Sequence, residues 1–334
     1  MTSIVTAMDR LHLAKLISLV AILIWFVWFL LLLWSLSYSS SPVIKPEVSN
    51  CWPCRLKHIS DDIYIQKSSV QCEQTELLIL VHSSLDHHQH RTAIRYYTSL
   101  LPFKWKAVFV LGKSTNETVN QQIQIESSQF GDIVQSNFLD TYRNLTLKHL
   151  TALNWTIKYC AQVKSILKVD DDIFVNYYLL KRFLAQLTKI SLGKKSYLIC
   201  YLHRDMKVIR NNASKWFVKQ DEFAPEKYPP FCSGWAYLTT VETVSILLCK
   251  ITQVTKMKLS PFWIDDVYMT GILRDDKCVP ILAINHLFNV DPIILRKWLL
   301  RRGLTKWHHL FSNTDNKANI LSKALRLNYY TGLL

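Results

Sequence analysis

The chain has 334 residues, 49% of them apolar and 19% charged, with a formal net charge of +15. That apolar share supplies a sizeable core for one large domain or two small ones. The basic balance suits anionic partners, yet the Lys and Arg residues are scattered rather than gathered into one tract, which argues against a nucleic-acid-binding surface.

Residues 1–15 read as a short cytoplasmic tail. Residues 16–36, LISLVAILIWFVWFLLLLWSL, hold no charge, and only Ser18 and Ser35 are polar. A run of about 20 apolar residues matches the hydrocarbon thickness of a bilayer. It exceeds the roughly 7–15 apolar residues of a cleaved secretory signal. An uncleaved transmembrane signal-anchor is therefore predicted. Arg10 and Lys15 precede it and a nearly neutral stretch follows, which places the C-terminal bulk in the lumen as a single-pass type II membrane protein. All eight cysteines lie beyond the anchor, as do N-x-S/T sequons at Asn116, Asn144, Asn154 and Asn212. Both fit an oxidising, glycosylating compartment. Cys51-Trp-Pro-Cys54 has redox spacing, but its Pro- and Ser-rich flanks suit a structural disulfide better, and no second Cys/His pair completes a zinc site.

Residues 37–75 are polar and read as a stem. From Glu76 the signals alternate between strand and helix. Leu77–His82 (LLILVH), Lys106–Gly112 (KAVFVLG), Gly131–Gln135 (GDIVQ) and Ser165–Val169 (SILKV) are short apolar runs suited to buried strands. Between the last two, Leu145–Ala161 carries Leu147, Leu150, Leu153, Ile157 and Cys160/Ala161 at helical steps. The alternation predicts a mainly parallel α/β sheet in a domain covering residues 76–334.

Three consecutive carboxylates, Asp170, Asp171 and Asp172, follow directly on the Ser165–Val169 run. Ligand sites of open α/β sheets lie beyond the carboxyl ends of strands. Clustered carboxylates are hard ligands for Mg²⁺ or Mn²⁺, and such a cation also takes diphosphate oxygens. A solvated acidic turn accounts for the same spacing equally well. A second pair, Asp265-Asp266, follows Pro261-Phe-Trp-Ile. One carboxylate there suits a general base, while both also suit the first turn of a helix. Tyr228-Pro-Pro-Phe-Cys-Ser-Gly234 reads as a rigid bend, either an acceptor wall or a strand entry.

These segments, in this order, resemble the β-1,3-glycosyltransferase family that includes the β-1,3-galactosyltransferases and β-1,3-N-acetylglucosaminyltransferases. The matching stretches are Arg91–Arg95, Phe109–Gly112, Glu126 with Phe130–Gln135, and Phe138–Lys148. They continue with Lys168–Asn176, Ser214–Trp216, Tyr228–Gly234 and Asp265–Tyr268. The resemblance runs from about Leu77 to Trp298. It implies a GT-A type, Rossmann-like nucleotide-sugar transferase domain behind a transmembrane helix and stem, in the Golgi membrane. It implies transfer of galactose or N-acetylglucosamine from a UDP-sugar to a glycan acceptor on glycoprotein or glycolipid, with inversion and a β-1,3 linkage.

By the same resemblance Asp172, Asp170 and His286 are the expected metal ligands, for Mn²⁺ or Mg²⁺. Asp170 and Asp171 lie near the ribose and diphosphate, Arg91 and Arg95 near the donor phosphates, and Asp266 is the expected base with Asp265 second. Three departures from the family pattern stand out. Tyr96-Tyr97 occupies the place of a Trp. Gly271 comes three residues after Tyr268 instead of two. His286 is not cleanly spaced from Pro292 and Trp298. The competing readings are a catalytically silent lumenal binding or chaperone protein on the same scaffold, and a membrane-anchored hydrolase using paired carboxylates.

Overall fold

The computed structural model describes residues 63–190, 195–256, 261–274, 277–301 and 306–332. The tail, the apolar run 16–36, most of the expected stem and Cys51-Cys54 lie outside the described residues. Among the described residues no helix is long and apolar enough to cross a membrane.

The centre of the molecule is the run LLILVH. As β2 (Leu77–His82) it is buried at every position, as expected of a strand covered on both faces in a parallel sheet. It pairs in parallel with β3 (Trp105–Lys113) on one side and β5 (Ser165–Asp170) on the other. Strand β4 (Ile133–Leu139) adds in parallel to β3, and β1 (Tyr64–Gln66) closes that edge antiparallel. Beyond β5, β8 (Phe231–Thr239) runs antiparallel, followed by β7 (Leu198–His203) and β9 (Ile281–Ala283). The resulting order is β1-β4-β3-β2-β5-β8-β7-β9. The expected parallel sheet is thus parallel in its first half and mixed in its second.

Strand β1 falls inside the segment expected as stem. Ser69 N donates to Gly131 O at 2.8 Å, and Cys72 is disulfide-bonded to Cys160. The folded body therefore starts by Tyr64 instead of Glu76. A second disulfide, Cys200–Cys232, staples β7 to β8; Cys249 and Cys278 are oxidised as well.

Helices cover both faces. Helix α1 (His88–Ser99) follows β2 and α2 (Glu117–Phe130) follows β3. Asn116 caps α2 by accepting from Thr118 N at 2.9 Å, and Gly131 ends it at φ +66°, where a side chain would be strained. Helix α3 (Leu145–Tyr159) lies at the predicted place and buries Leu153 and Cys160, with Leu150 and Ile157 packed against the core, but its buried face is wider than the leucine pattern. Leu147 is exposed, whereas His149, Ala152, Leu153, Trp155 and Thr156 are buried. A small sheet of β10 (Phe288–Asn289), β11 (Phe311–Asn313) and β6 (Ile173–Val175) pins the chain just after the three aspartates. Helices α4 (Tyr177–Ile190), α5 (Val241–Lys256), α6 (Asp265–Val267), α7 (Pro292–Leu300) and α8 (Ala318–Gly332) complete the body.

Candidate active site

Strands β2 and β5 end side by side, with His82 opposite Asp170 in register, and Ala236 of antiparallel β8 stands opposite Val169. The three aspartates therefore emerge at the carboxyl edge of the parallel half, where open α/β sheets bind ligands. Their environments differ. Asp171 is buried and faces inward. It accepts from Ser83 Oγ at 2.6 Å and Ser84 N at 3.3 Å, and contacts His87 Nδ1 at 2.9 Å. The hydrogen bond to Asp171 holds the His87 imidazole above its ordinary pKa, against burial. Asp171 thus anchors the β2–α1 loop.

Asp170 pairs with the buried Lys168, whose Nζ lies 2.6 Å from Asp170 Oδ1. About a third of the Asp170 side chain meets solvent (35%). Burial pushes it up to about 7, against the pull of Lys168 and with the help of Asp172. Asp172 is half-buried and raised by burial and by the Asp171 charge. Among the described residues its carboxylate finds no hydrogen-bond partner beyond its own backbone. A pair of raised carboxylates, one bound by a single ammonium and one without a partner, is a donor set that suits a hard divalent cation. Asp172 and Asp170 are the residues that would hold it.

Arg91 and Arg95 lie one helical turn apart on α1. Arg91 is fully buried, and every one of its N–H groups is used by the protein. Nε and Nη2 fork onto Glu126 at 2.8 Å each. Nη1 donates to Ser83 Oγ and Ser84 O, and Nη2 also reaches Leu85 O. Arg95 forks onto Asp132 and lies 2.7 Å from Glu126. These guanidiniums clamp the β2–α1 loop and the end of α2. Lys148 does the same from below, donating to Ser83 O at 2.5 Å and pairing with Asp140.

The second acidic pair is brought to the first by Gly234 of β8. Lys168 Nζ donates to Gly234 O, and Gly234 N donates to Asp266 Oδ2 at 3.1 Å. A Cβ on Gly234 would stand 3.3 Å from that oxygen, so glycine permits the approach. Val267 N donates to Asp266 Oδ1 at 2.8 Å. Burial first and the neighbouring Asp265 charge second push Asp266 up to about 7. Asp265 moves the other way. Burial raises it, but the His149 hydrogen bond and the Lys168 charge outweigh that and hold it below the usual range. His149 Nδ1 lies 3.0 Å from Asp265 Oδ2, and its Nε2 lies 2.5 Å from the Tyr237 hydroxyl.

His82, His149 and Asp265 lie close enough together to suggest a second cation site. Both ring nitrogens of His149 are already engaged, however, and all three residues are buried, so the cluster reads as a hydrogen-bonded support for Asp265. His286 is exposed on the turn (Asn285–Leu287) before β10. Among the described residues no hydrogen bond or ion pair joins it to the aspartates.

After Val267 the helix widens into a π turn, Tyr268–Ile272, with Leu273 N bonded to Tyr268 O at 2.9 Å. A π turn accommodates one extra residue in a helix. The turn takes in Tyr268 and Gly271, where the spacing departs from the resembled family pattern. Gly271 then packs on the Tyr228–Gly234 segment, where a Cβ would meet Phe231 Cβ at 3.1 Å and Pro229 Cγ at 3.2 Å. That segment is a strand entry, with Phe231 opening β8.

Sequence reasoning passed over Ser83, His87 and His149, and took Lys148 only as the end of a matching stretch. The signal for His149 was present: it sits four residues before Leu153, on a face that a helix buries. Lys168 was quoted only as part of a pattern, although a lysine inside an apolar strand implies a buried partner.

Residues 89–284, more than half of the chain, match the family model described as Galactosyltransferase. Human beta-1,3-galactosyltransferase 2 is 31% identical over 270 residues, 78% of this chain and 60% of that protein. Mouse beta-1,3-galactosyltransferase 1 is 33% identical over 203 residues, 59% of this chain and 60% of that protein. The chain therefore spans about 60% of the length of the curated relatives it matches. A solved galactosyltransferase, LgtC with donor and acceptor sugar analogs, aligns over 74% of this chain and 95% of its own at 10% identity. Its TM-score of 0.37 is too low to carry an argument.

Proposed function

The chain belongs to the galactosyltransferase family, and on that premise we propose that it is a metal-dependent inverting transferase. It moves galactose or N-acetylglucosamine from a UDP-sugar to a glycan acceptor with a β-1,3 linkage. It works on the lumenal side of the Golgi membrane, anchored through residues 16–36, within a GT-A type domain. The observation that carries this reading is the meeting of two acidic clusters nearly a hundred residues apart in sequence. Asp170–Asp172 and Asp265–Asp266 are joined at one sheet edge by Lys168 and Gly234.

The chemistry follows from how the two clusters differ. Asp172 and Asp170 would hold a divalent cation, Mn²⁺ or Mg²⁺, which when bound neutralises charge growing on a departing diphosphate. Asp266, raised by burial and by Asp265, is matched to accepting a proton near neutral pH. The acceptor hydroxyl gives its proton to Asp266 as its oxygen forms the new bond to the anomeric carbon. UDP leaves from the opposite face with the electron pair of the broken bond, so the configuration inverts. Lys168 and the His149–Asp265 pair keep the site in register.

The test is UDP release by the full-length chain with a panel of UDP-sugars and Mn²⁺, with and without sugar acceptors. Metal-dependent release from one donor, lost in Asp172→Ala and Asp266→Ala, is expected. A folded chain that releases nothing and does not bind UDP refutes the reading and leaves a silent scaffold.

A further inference from the structure

Two large aromatic side chains stand in solvent beside the acidic pair. Trp216 is 45% exposed and Tyr142 is 43% exposed. Neither is loosely held. The Trp216 side chain lies beside the Tyr142 hydroxyl and partly offsets the effect of burial on it. The Tyr142 hydroxyl is pushed up to about 12 by burial, and it also senses the charges of Asp266, Asp265 and Asp170. Tyr142 also packs against Trp263, two residues before Asp265, so the pair borders the segment that carries Asp265 and Asp266.

The loop that carries Trp216 is built to hold it there. Arg210 gathers four of its carbonyls, donating to Val218, Lys219, Phe223 and Pro225. Val218 is fully buried beneath it. Glu222 of the same loop pairs with Arg143, next to Tyr142, at 2.8 Å. Arg143 packs on Trp263, and Tyr142 leans on the same indole with ring centroids 6.0 Å apart. Lys215 places its ammonium 4.4 Å from the Trp216 ring and 5.6 Å from the Tyr142 ring. Exposed aromatic carbon is unfavourable in water, and rigid display of it beside a polar rim is a feature of ligand sites.

We infer that Trp216 and Tyr142 form the stacking platform of the acceptor subsite, taking the C–H face of a β-hexopyranoside against their rings. Lys215 and the Arg143–Glu222 pair stand at the hydroxyl-bearing rim of that sugar. The assignment rests on the transferase reading for the word acceptor, and on this geometry alone for the binding of a pyranose. Position favours the acceptor over the uracil of a donor: the platform borders the segment that carries Asp266, the proposed base, whereas Asp171 and the Ser83–Ser84 loop belong to the other side of the edge.

The test separates the two. Methyl β-D-galactoside and methyl N-acetyl-β-D-glucosaminide are titrated onto the full-length chain with UDP and Mn²⁺ present, followed by saturation-transfer difference NMR, and UDP affinity is measured by calorimetry. Trp216→Ala is expected to weaken binding of the glycoside that the wild type takes by about tenfold, the worth of one aromatic face removed from contact. Trp216→Phe retains most of it, Tyr142→Ala weakens it less, and UDP affinity is unchanged in all three. Unaltered glycoside binding by Trp216→Ala, no glycoside binding by the wild type, or loss of UDP affinity instead overturns the inference. Donor hydrolysis is scored separately. No release from any donor with or without acceptor, together with no UDP binding by the folded wild type, sinks the transferase reading, while the NMR still judges the platform.

Discussion

The charge imposed on Asp266 makes a prediction about stability as well as turnover. Its carboxyl titrates at about 7 in the folded chain against 3.8 ordinarily. Ionising it in place therefore costs about 4 kcal/mol by pH 8. The folded state binds this proton more tightly than the unfolded state. The stabilising contribution is thus complete below pH 3.8 and is lost as pH rises through about 7. Asp266→Asn removes the charge and keeps the shape. One amide oxygen still accepts from Gly234 N or Val267 N, and the other N–H faces an amide nitrogen at a cost of about 1–2 kcal/mol. At pH 8 the variant is expected to be more stable than the wild type by about 2–3 kcal/mol, a rise of roughly 4–10 °C in melting temperature. At pH 4.5 the two are expected to lie within about 1 kcal/mol of each other. Scanning calorimetry of cation-free protein from pH 4.5 to 8 measures the difference, while transfer falls by about 10²–10⁴. Parallel melting curves for the two proteins across that range would refute the reasoning, because the pH dependence would then arise elsewhere.

Other substitutions separate support from ligand contact. Arg91→Met leaves Glu126 buried without its fork and is expected to destabilise the fold by about 3–5 kcal/mol in denaturant melts; pairing it with Glu126→Leu restores most of that. A stable Arg91→Met protein with weakened UDP binding would make Arg91 a phosphate ligand after all. Gly271→Ala pushes a methyl group into Pro229 and Phe231 and is expected to cost about 1–3 kcal/mol, read from the same melts. Asp172→Asn should abolish the rise in melting temperature given by Mn²⁺ while leaving the cation-free melting temperature unchanged or slightly higher; a full Mn²⁺ response would remove Asp172 from the cation site.

The parts of the fold that were legible in the sequence were the ones with a strong one-dimensional signal. LLILVH reads as a doubly covered strand because nothing polar interrupts it, and it is buried throughout. The three aspartates follow a strand in the sequence and in space. Strands β6, β10 and β11 were not legible, since two or three residues carry no periodicity. The face of α3 was legible in part: Leu153 and Cys160 are buried as expected, but Leu147 is exposed and polar neighbours are buried. The eye follows leucines, whereas the helix lies between two layers and buries His149, Lys148 and Thr156, whose polar atoms find partners inside. The mostly polar run 67–71 gives no hint that serines 68 and 69 dock on Gly131.

The departure at Gly271 shows how such a site tolerates change. On a regular helix an added residue would turn everything after it by roughly 100° and carry Gly271 away from Pro229 and Phe231. The π turn begins just after Val267, so Asp265 and Asp266 stay ahead of the departure. Their opposite pKa shifts come from how each is buried and partnered: the His149 hydrogen bond and the Lys168 charge outweigh burial at Asp265, while at Asp266 burial and the repulsion of Asp265 outweigh two backbone N–H groups and the same lysine. Two adjacent carboxylates are thereby split into a permanent anion and a group that titrates near neutrality, which is how one environment divides electrostatic and proton-transfer roles between identical side chains. The residues that set this asymmetry lie on β5, α3 and β8, outside the π turn.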